Sequence, residues 1–191
     1  MRLLEGLLQL SFSFMESPFT KVLITKLEAA RRQIETAIIL WFSEGDPVSI
    51  HTLVSAGHRL VYDLNKKSLG LPMLGDTTNI RPGHEKEYRA IIAKASNFFK
   101  HADRDAKETL SFSPGSNAFR LLDACNVYQP LAGERRPLMR LFILHMEIHY
   151  PRLFLSKAVN GREVANLKLL SKQQFFDEML PVAYKLVGSR Q

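Results

Sequence analysis

Apolar residues recur along this chain at intervals of three and four almost throughout, the signature of helices that bury one face. The pattern becomes sustained after Ser17-Pro18, a capping residue followed by a first-turn proline. The segment FTKVLITKLEAARRQIETAIILWFSEG continues it for about seven turns. Leu23, Leu27, Ile34, Ala37, Ile38 and Trp41 fall on or near one stripe, and Lys26, Arg31 and Arg32 are placed toward water. Gly45 supplies the expected stop, and Asp46-Pro47 restarts the chain at once with a second cap and a second first-turn proline. Two long helices joined this tightly must fold back on each other, so an antiparallel helical hairpin is expected to open the fold. On the second helix Ile50, Leu53, Gly57, Leu60 and Leu64 form the stripe. Glycine in mid-stripe weakens a helix, and close approach of the first helix is the expected compensation.

Residues 66–83, KKSLGLPMLGDTTNIRPG, are rich in Gly, Pro and Thr and read as a loop long enough to be a lid, an interface or a mobile connection. A third helix is predicted over about 84–102, burying Tyr88, Ile91, Ile92, Ala95, Phe99 and Ala102, and a fourth over about 115–129. A fifth, from about Arg135 to His149, is apolar around most of its circumference and should lie centrally, with Pro151 ending it. A last helix begins near Ser171, with Pro181 expected to kink or break it. No repeat or low-complexity tract interrupts this order. The expected fold class is therefore all-α: a single-domain bundle of five to seven helices over residues 17–191, after a poorly ordered extension at 1–16. The native start is either Met1 or Met15.

Composition narrows the classes of function. Hydrophobic residues at 46% and charged residues at 24% are ordinary for a globular chain and argue against general disorder. A surplus of basic residues, +7, favours polyanionic partners, though no long basic run concentrates it. The single cysteine, Cys125, rules out an internal disulfide and sits in an apolar helical stretch, where it should act as a small core hydrophobe. No window approaches the roughly 18 uncharged apolar residues of a membrane span, so no membrane partner and a cytoplasmic location are expected. The start, MRLLEGLLQLSFSFMESPF, loosely imitates a signal peptide, but Glu5 interrupts it and no cleavage pattern follows. No Gly-rich phosphate loop, nucleophile elbow or CxxC pair is present, and no cofactor is expected.

Three groups of residues could carry chemistry. NFFKHADRD closes the third helix, where Lys94, Asn97 and His101 are spaced i, i+3 and i+7 along one flank. A cation, an amide and an imidazole so placed could hold a phosphate and move a proton, which makes them the candidate catalytic set. His51 and His58, seven apart at the edge of the second helix's stripe, are candidates for substrate binding across the same crevice, together with Arg104. HMEIH places His145 and His149 at i, i+4, a spacing that lets two imidazoles share a metal. No adjacent Asp, Glu or Cys completes a ligand set, so no metal site is assigned.

The helical hairpin, a polar site on a later helix, the basic balance and the small size together resemble the HEPN-like domains of prokaryotes. Nuclease members of that superfamily carry an Arg-x(4–6)-His motif, matched literally here by Arg140-Leu-Phe-Ile-Leu-His145. Lys94 and His101, with six residues between them, offer a more polar version in which Lys replaces Arg and loses the bidentate fork. The resemblance implies a homodimer that binds RNA and cleaves it without metal in a cleft between protomers. His would assist proton transfer at the ribose 2′-hydroxyl while Arg steadies the phosphate, in a defence or toxin–antitoxin setting. WFSEGDPVSIHTL and NFFKHADRD also look like segments of an uncharacterised bacterial family, which implies no activity. The alternatives are a helical-bundle protein that binds metal or a small ligand through clustered histidines (His51, His58, His101, His145 and His149) and a non-catalytic interaction domain.

Overall fold

A computed structural model of the chain describes residues 21–78, 80–103, 106–154 and 162–188. Among the described residues there are seven α-helices and no strand, as the periodicity predicts. They are α1 (Lys26–Phe42), α2 (Pro47–Lys66), α3 (Glu85–Phe98), α4 (Ser116–Ala132), α5 (Pro137–His149), α6 (Arg162–Leu167) and α7 (Lys172–Gly188), with a 3-10 turn at Pro151–Leu153. The extension 1–16 and the Ser17-Pro18 cap lie outside the described residues. The first helix begins later than the sequence predicts: residues 21–25 are not helical, and Thr25 is the cap, its hydroxyl accepting the Glu28 N–H at 3.1 Å. Leu23 therefore precedes the helix and stands in solvent.

The hairpin between α1 and α2 turns where expected, but by a different residue. Glu44, not Gly45, takes the left-handed conformation, at φ 54°. The Gly45 N–H then reaches back to the Leu40 carbonyl at 2.8 Å, and the Glu44 N–H to Trp41 at 3.4 Å, closing the last turn of α1. Gly45 also relieves a tight fit, because a Cβ there would stand 3.2 Å from the Leu40 carbonyl oxygen. Asp46 caps α2 as predicted, accepting the Ser49 N–H at 2.6 Å. Further along, a Cβ on Gly57 would lie 2.8 Å from Ile34 Cγ1 and 3.2 Å from the Ala30 carbonyl oxygen. This is the close approach that the mid-stripe glycine foretold.

One core runs through the bundle. Ile34, Ile38 and Phe42 of α1 and Val54 and Val61 of α2 join Leu121 and Tyr128 of α4 and Met139, Phe142 and Met146 of α5. Phe175 of α7 closes the far side, stacked parallel to Phe42 at 6.1 Å. Burial pushes the Cys125 thiol far up, which suits a core hydrophobe and not a nucleophile. Arg136, at the entry to α5, donates to Glu35 of α1 at 2.9 Å, and Arg31 donates to the other oxygen of the same carboxylate at 2.9 Å. Helix α7 runs on through Pro181 without the expected break.

Helix α3 departs most from the sequence reading. It ends at Phe98, not near 102, and none of its residues is buried. Ile91, expected in the core, is 65% exposed. The inward face consists of Tyr88, Ile92, Ser96 and Phe99, all only half-buried, and its partners are largely polar. Arg120 of α4 donates to the Ile92 carbonyl at 3.0 Å, and Ser96 Oγ bonds to Ser55 of α2 at 3.0 Å.

Candidate functional site: a cationic cleft between two helices

The stripes that face each other on α2 and α3 enclose a cleft of about 510 Å³. Helix α2 supplies Ser55, His58, Arg59, Tyr62 and Lys66, which recur at helical spacing along one side. Helix α3 supplies Arg89, Ile92, Ala93, Ser96 and Asn97, again one face, and Lys100 follows in the turn after it. Leu74 and Gly75 close one end, and Arg120 reaches in from α4. Within the stretch 66–83, read as a lid, an interface or a mobile connection, residues 71–76 are pinned as that end wall. The Asn65 side chain donates to the Leu71 carbonyl at 2.8 Å and accepts its N–H at 3.1 Å. Asp76 accepts the Met73 N–H at 2.6 Å, and Met73 is buried.

Charge defines the cleft. Five of the lining side chains are Arg or Lys, and among the described residues that line it none is Asp or Glu. Asp123 of α4 lies behind His58 and holds it, with 2.6 Å between His58 Nε2 and Asp123 Oδ2. The same oxygen accepts the Leu74 N–H at 3.0 Å, so one carboxylate fixes both the imidazole and the end wall. Burial pulls the Arg120 guanidinium down from its ordinary range, and the Asp123 carboxylate opposes that. Arg59 donates to Asp63 at 2.9 Å and lies over the Tyr62 ring, 5.7 Å from its centre.

His51 sits deeper, between α2, α3 and α4. Its Nδ1 is 2.8 Å from Asn117 Oδ1, its Nε2 is 3.2 Å from Ser96 Oγ, and the rings of Phe99 and Phe112 stand edge-on to it. Burial lowers its pKa, the bond to Asn117 opposes this, and Arg120 and Lys100 reinforce the lowering.

The residues expected to form the site are thus divided. Asn97 and His58 line the cleft. Lys94 points to solvent on the opposite side of α3 from Ile92. His101 lies beyond the end of the helix, exposed, with Nδ1 4.0 Å from Asp103 Oδ1. His51 is buried behind the cleft wall, and Arg104 falls outside the described residues. His101 does not join Asn97 because helical spacing has meaning only while the helix lasts, and α3 stops three residues before His101. Arg120, Arg89, Lys66 and Asp123 were not singled out in the sequence. They converge from separate elements, and no local spacing marks them.

The second histidine pair is real but encloses no metal set. His145 and His149 stack at 4.1 Å, walled by Trp41, Phe42 and Phe175. Burial first, then the neighbouring His149 and Lys172, pulls His145 down to about 3. Buried His145 Nδ1 and His149 Nε2 have no hydrogen-bond partner among the described residues. Among the described residues no group of three or more His, Cys, Asp or Glu could hold a metal ion. Arg140 and His145 stand on different sides of α5: His145 is buried, while Arg140 is only partly so. Among the described residues no helix is long and apolar enough to cross a membrane. Comparison with protein-family models, with curated proteins and with solved structures finds no match for this chain.

Proposed function

We propose that this protein binds RNA through its phosphates in the cleft between α2 and α3. The observation that carries this reading is the lining of five cations with no carboxylate among them. Phosphodiesters are the ligands that such a lining favours, since guanidinium and ammonium groups offer charge-assisted hydrogen bonds and released counterions add to affinity. The net charge of +7 acts in the same direction at longer range. Because α2, α3 and α4 of one chain build the whole cleft, the reading needs no second protomer, unlike the inter-protomer cleft that the HEPN-like resemblance implies.

The test is titration of a short single-stranded RNA at several salt concentrations against charge-reversed variants. Lys66→Glu and Lys100→Glu should each weaken binding and flatten the salt dependence by about 0.7 in log–log slope. Lys168→Glu, exposed and outside the cleft, should do so to a clearly smaller extent. Equal effects from all three, or no RNA binding by the unaltered protein, would defeat the proposal.

One observation favours a catalytic version: the imidazole held by Asp123 is oriented in the way that general bases are. In that version His58 takes the proton of a ribose 2′-hydroxyl as its oxygen attacks the adjacent phosphorus. The 5′-oxygen leaves as a hydroxyl, taking a proton from water, and a 2′,3′-cyclic phosphate forms. Cyclic-phosphate ends produced in the presence of a chelator, and lost in His58→Ala, are the expected result. RNA bound in the cleft without cleavage would leave a binding protein.

A further inference from the structure

Behind the cleft, four side chains form a chain of hydrogen bonds whose direction depends on one proton. Asn117 fixes its starting point. Its amide nitrogen donates to the Pro47 carbonyl at 3.0 Å, and a carbonyl can only accept, so Asn117 Oδ1 is the atom that faces His51 Nδ1. An amide oxygen is itself only an acceptor, so His51 Nδ1 carries a proton in every state. The other ring nitrogen, Nε2, meets Ser96 Oγ at 3.2 Å, and Ser96 Oγ meets Ser55 Oγ at 3.0 Å. Each hydroxyl has one hydrogen to give.

Two arrangements satisfy this chain. With His51 neutral, Nε2 needs a donor: Ser96 turns its hydrogen to the ring, and Ser55 turns its own to Ser96. With His51 protonated, Nε2–H donates to Ser96, Ser96 donates to Ser55, and the Ser55 hydrogen is released. Ser55 and Ser96 both line the cationic cleft, so the released hydrogen can be given to whatever occupies it.

We infer that His51 is a positioning residue that acts through Ser96 to set whether Ser55 offers a hydrogen bond to a phosphate in the cleft, coupling RNA affinity to one buried proton. This rests on the cleft being the RNA site. The groups facing His51 are consistent with a switch. Asn117 holds the ring from α4, Ser96 and Phe99 approach from α3, and Phe112 packs from the segment before α4. The charged groups acting on it, Arg120 and Lys100, favour the neutral ring. A bound phosphate opposes them, so ligand and proton should assist each other, and linkage makes the assistance mutual.

The experiment is calorimetric titration of a short unlabelled RNA at pH 5.5 and pH 8 at constant salt, with the intact protein, Ser96→Ala and Ser55→Ala. The phosphodiester keeps its charge over that range, and His58, which lines the cleft itself, is present in all three proteins. The intact protein should bind more tightly at pH 5.5 by roughly tenfold or more, the worth of one hydrogen bond to a charged acceptor. Ser96→Ala frees the Ser55 hydroxyl at every pH, so it should bind at pH 8 more tightly than the intact protein, with the pH difference reduced. A merely structural serine would give the opposite, weaker binding at both pH values. Ser55→Ala should lose the gain at pH 5.5. An unchanged pH difference in Ser96→Ala would overturn the relay while leaving the RNA site standing. Absence of RNA binding at both pH values would overturn both.

Discussion

His58 Nε2 lies 2.6 Å from Asp123 Oδ2, joining residues 65 positions apart in the chain, and the same oxygen holds the Leu74 N–H. This carboxylate is the joint at which α2, α4 and the end wall of the cleft meet. Its replacement by Ala leaves a buried imidazole and a backbone donor without their acceptor, and should lower stability by about 2–3 kcal/mol in chemical denaturation. The effect should also be local: hydrogen exchange at the Leu74 amide should accelerate more than exchange in α1. Unchanged protection at Leu74 would mean that other contacts hold the wall.

Gly57→Ala sets two effects against each other. Alanine gains about 1 kcal/mol of helix propensity. The added Cβ, however, would stand 2.8 Å from the side chain of Ile34, which is fully buried, and 3.2 Å from a backbone oxygen that cannot rotate away. The clash should win, for a net loss of about 1–3 kcal/mol. Ile34→Val removes the terminal methyl beyond Cγ1 and loosens the site, so the double variant should lose less than the sum of the two single losses. Strict additivity would show that Ile34 is not what resists the new methyl.

Asp46→Ala should lower the melting temperature, because it removes the acceptor for the Ser49 N–H at the start of α2. Asp46→Asn should restore most of that in thermal unfolding, since an amide oxygen caps as well as a carboxylate.

The hairpin was legible because its signals are local. Asp46-Pro47 and the mid-stripe Gly57 carry their meaning within a few residues, and the structure uses each as the pattern indicates. Glu44 was not legible: nothing in the sequence says that a glutamate will take the left-handed position while the glycine beside it is kept for space. Helix α3 shows a different limit. A helical wheel gives the direction of Ile91 but not whether another helix stands there to cover it, and among the described residues none does. The wheel also carried His101 past the point where the helix ends. The cleft was legible only in part. His58 and Asn97 were found from the edges of their stripes. Arg120 and Asp123 belong to the helix predicted over about 115–129, where neither was singled out, and the packing of α4 across α2 brings them to the site.

Acid should destabilise this protein through histidines that are buried without charge. His145 is pulled down to about 3, chiefly by burial among Trp41, Phe42 and Phe175. In the unfolded chain the same imidazole takes up a proton near its ordinary value, about 6.5. Between those values the unfolded state binds more protons than the folded one, so stability falls as pH is lowered. His145 alone should contribute up to about 1.4 kcal/mol per pH unit in that window. Its contribution is complete above about pH 6.5 and lost progressively as the pH approaches 3. Burial also lowers His51 and His149, so they act in the same direction. Denaturation midpoints measured at intervals from pH 8 to pH 4 should therefore be level near neutrality and then descend. In His145→Phe the descent should be shallower whatever happens to the absolute stability, because the slope reports only protons. A slope identical to that of the intact protein would show that His145 is already protonated in the folded state, which the unpartnered Nδ1 in an apolar enclosure argues against.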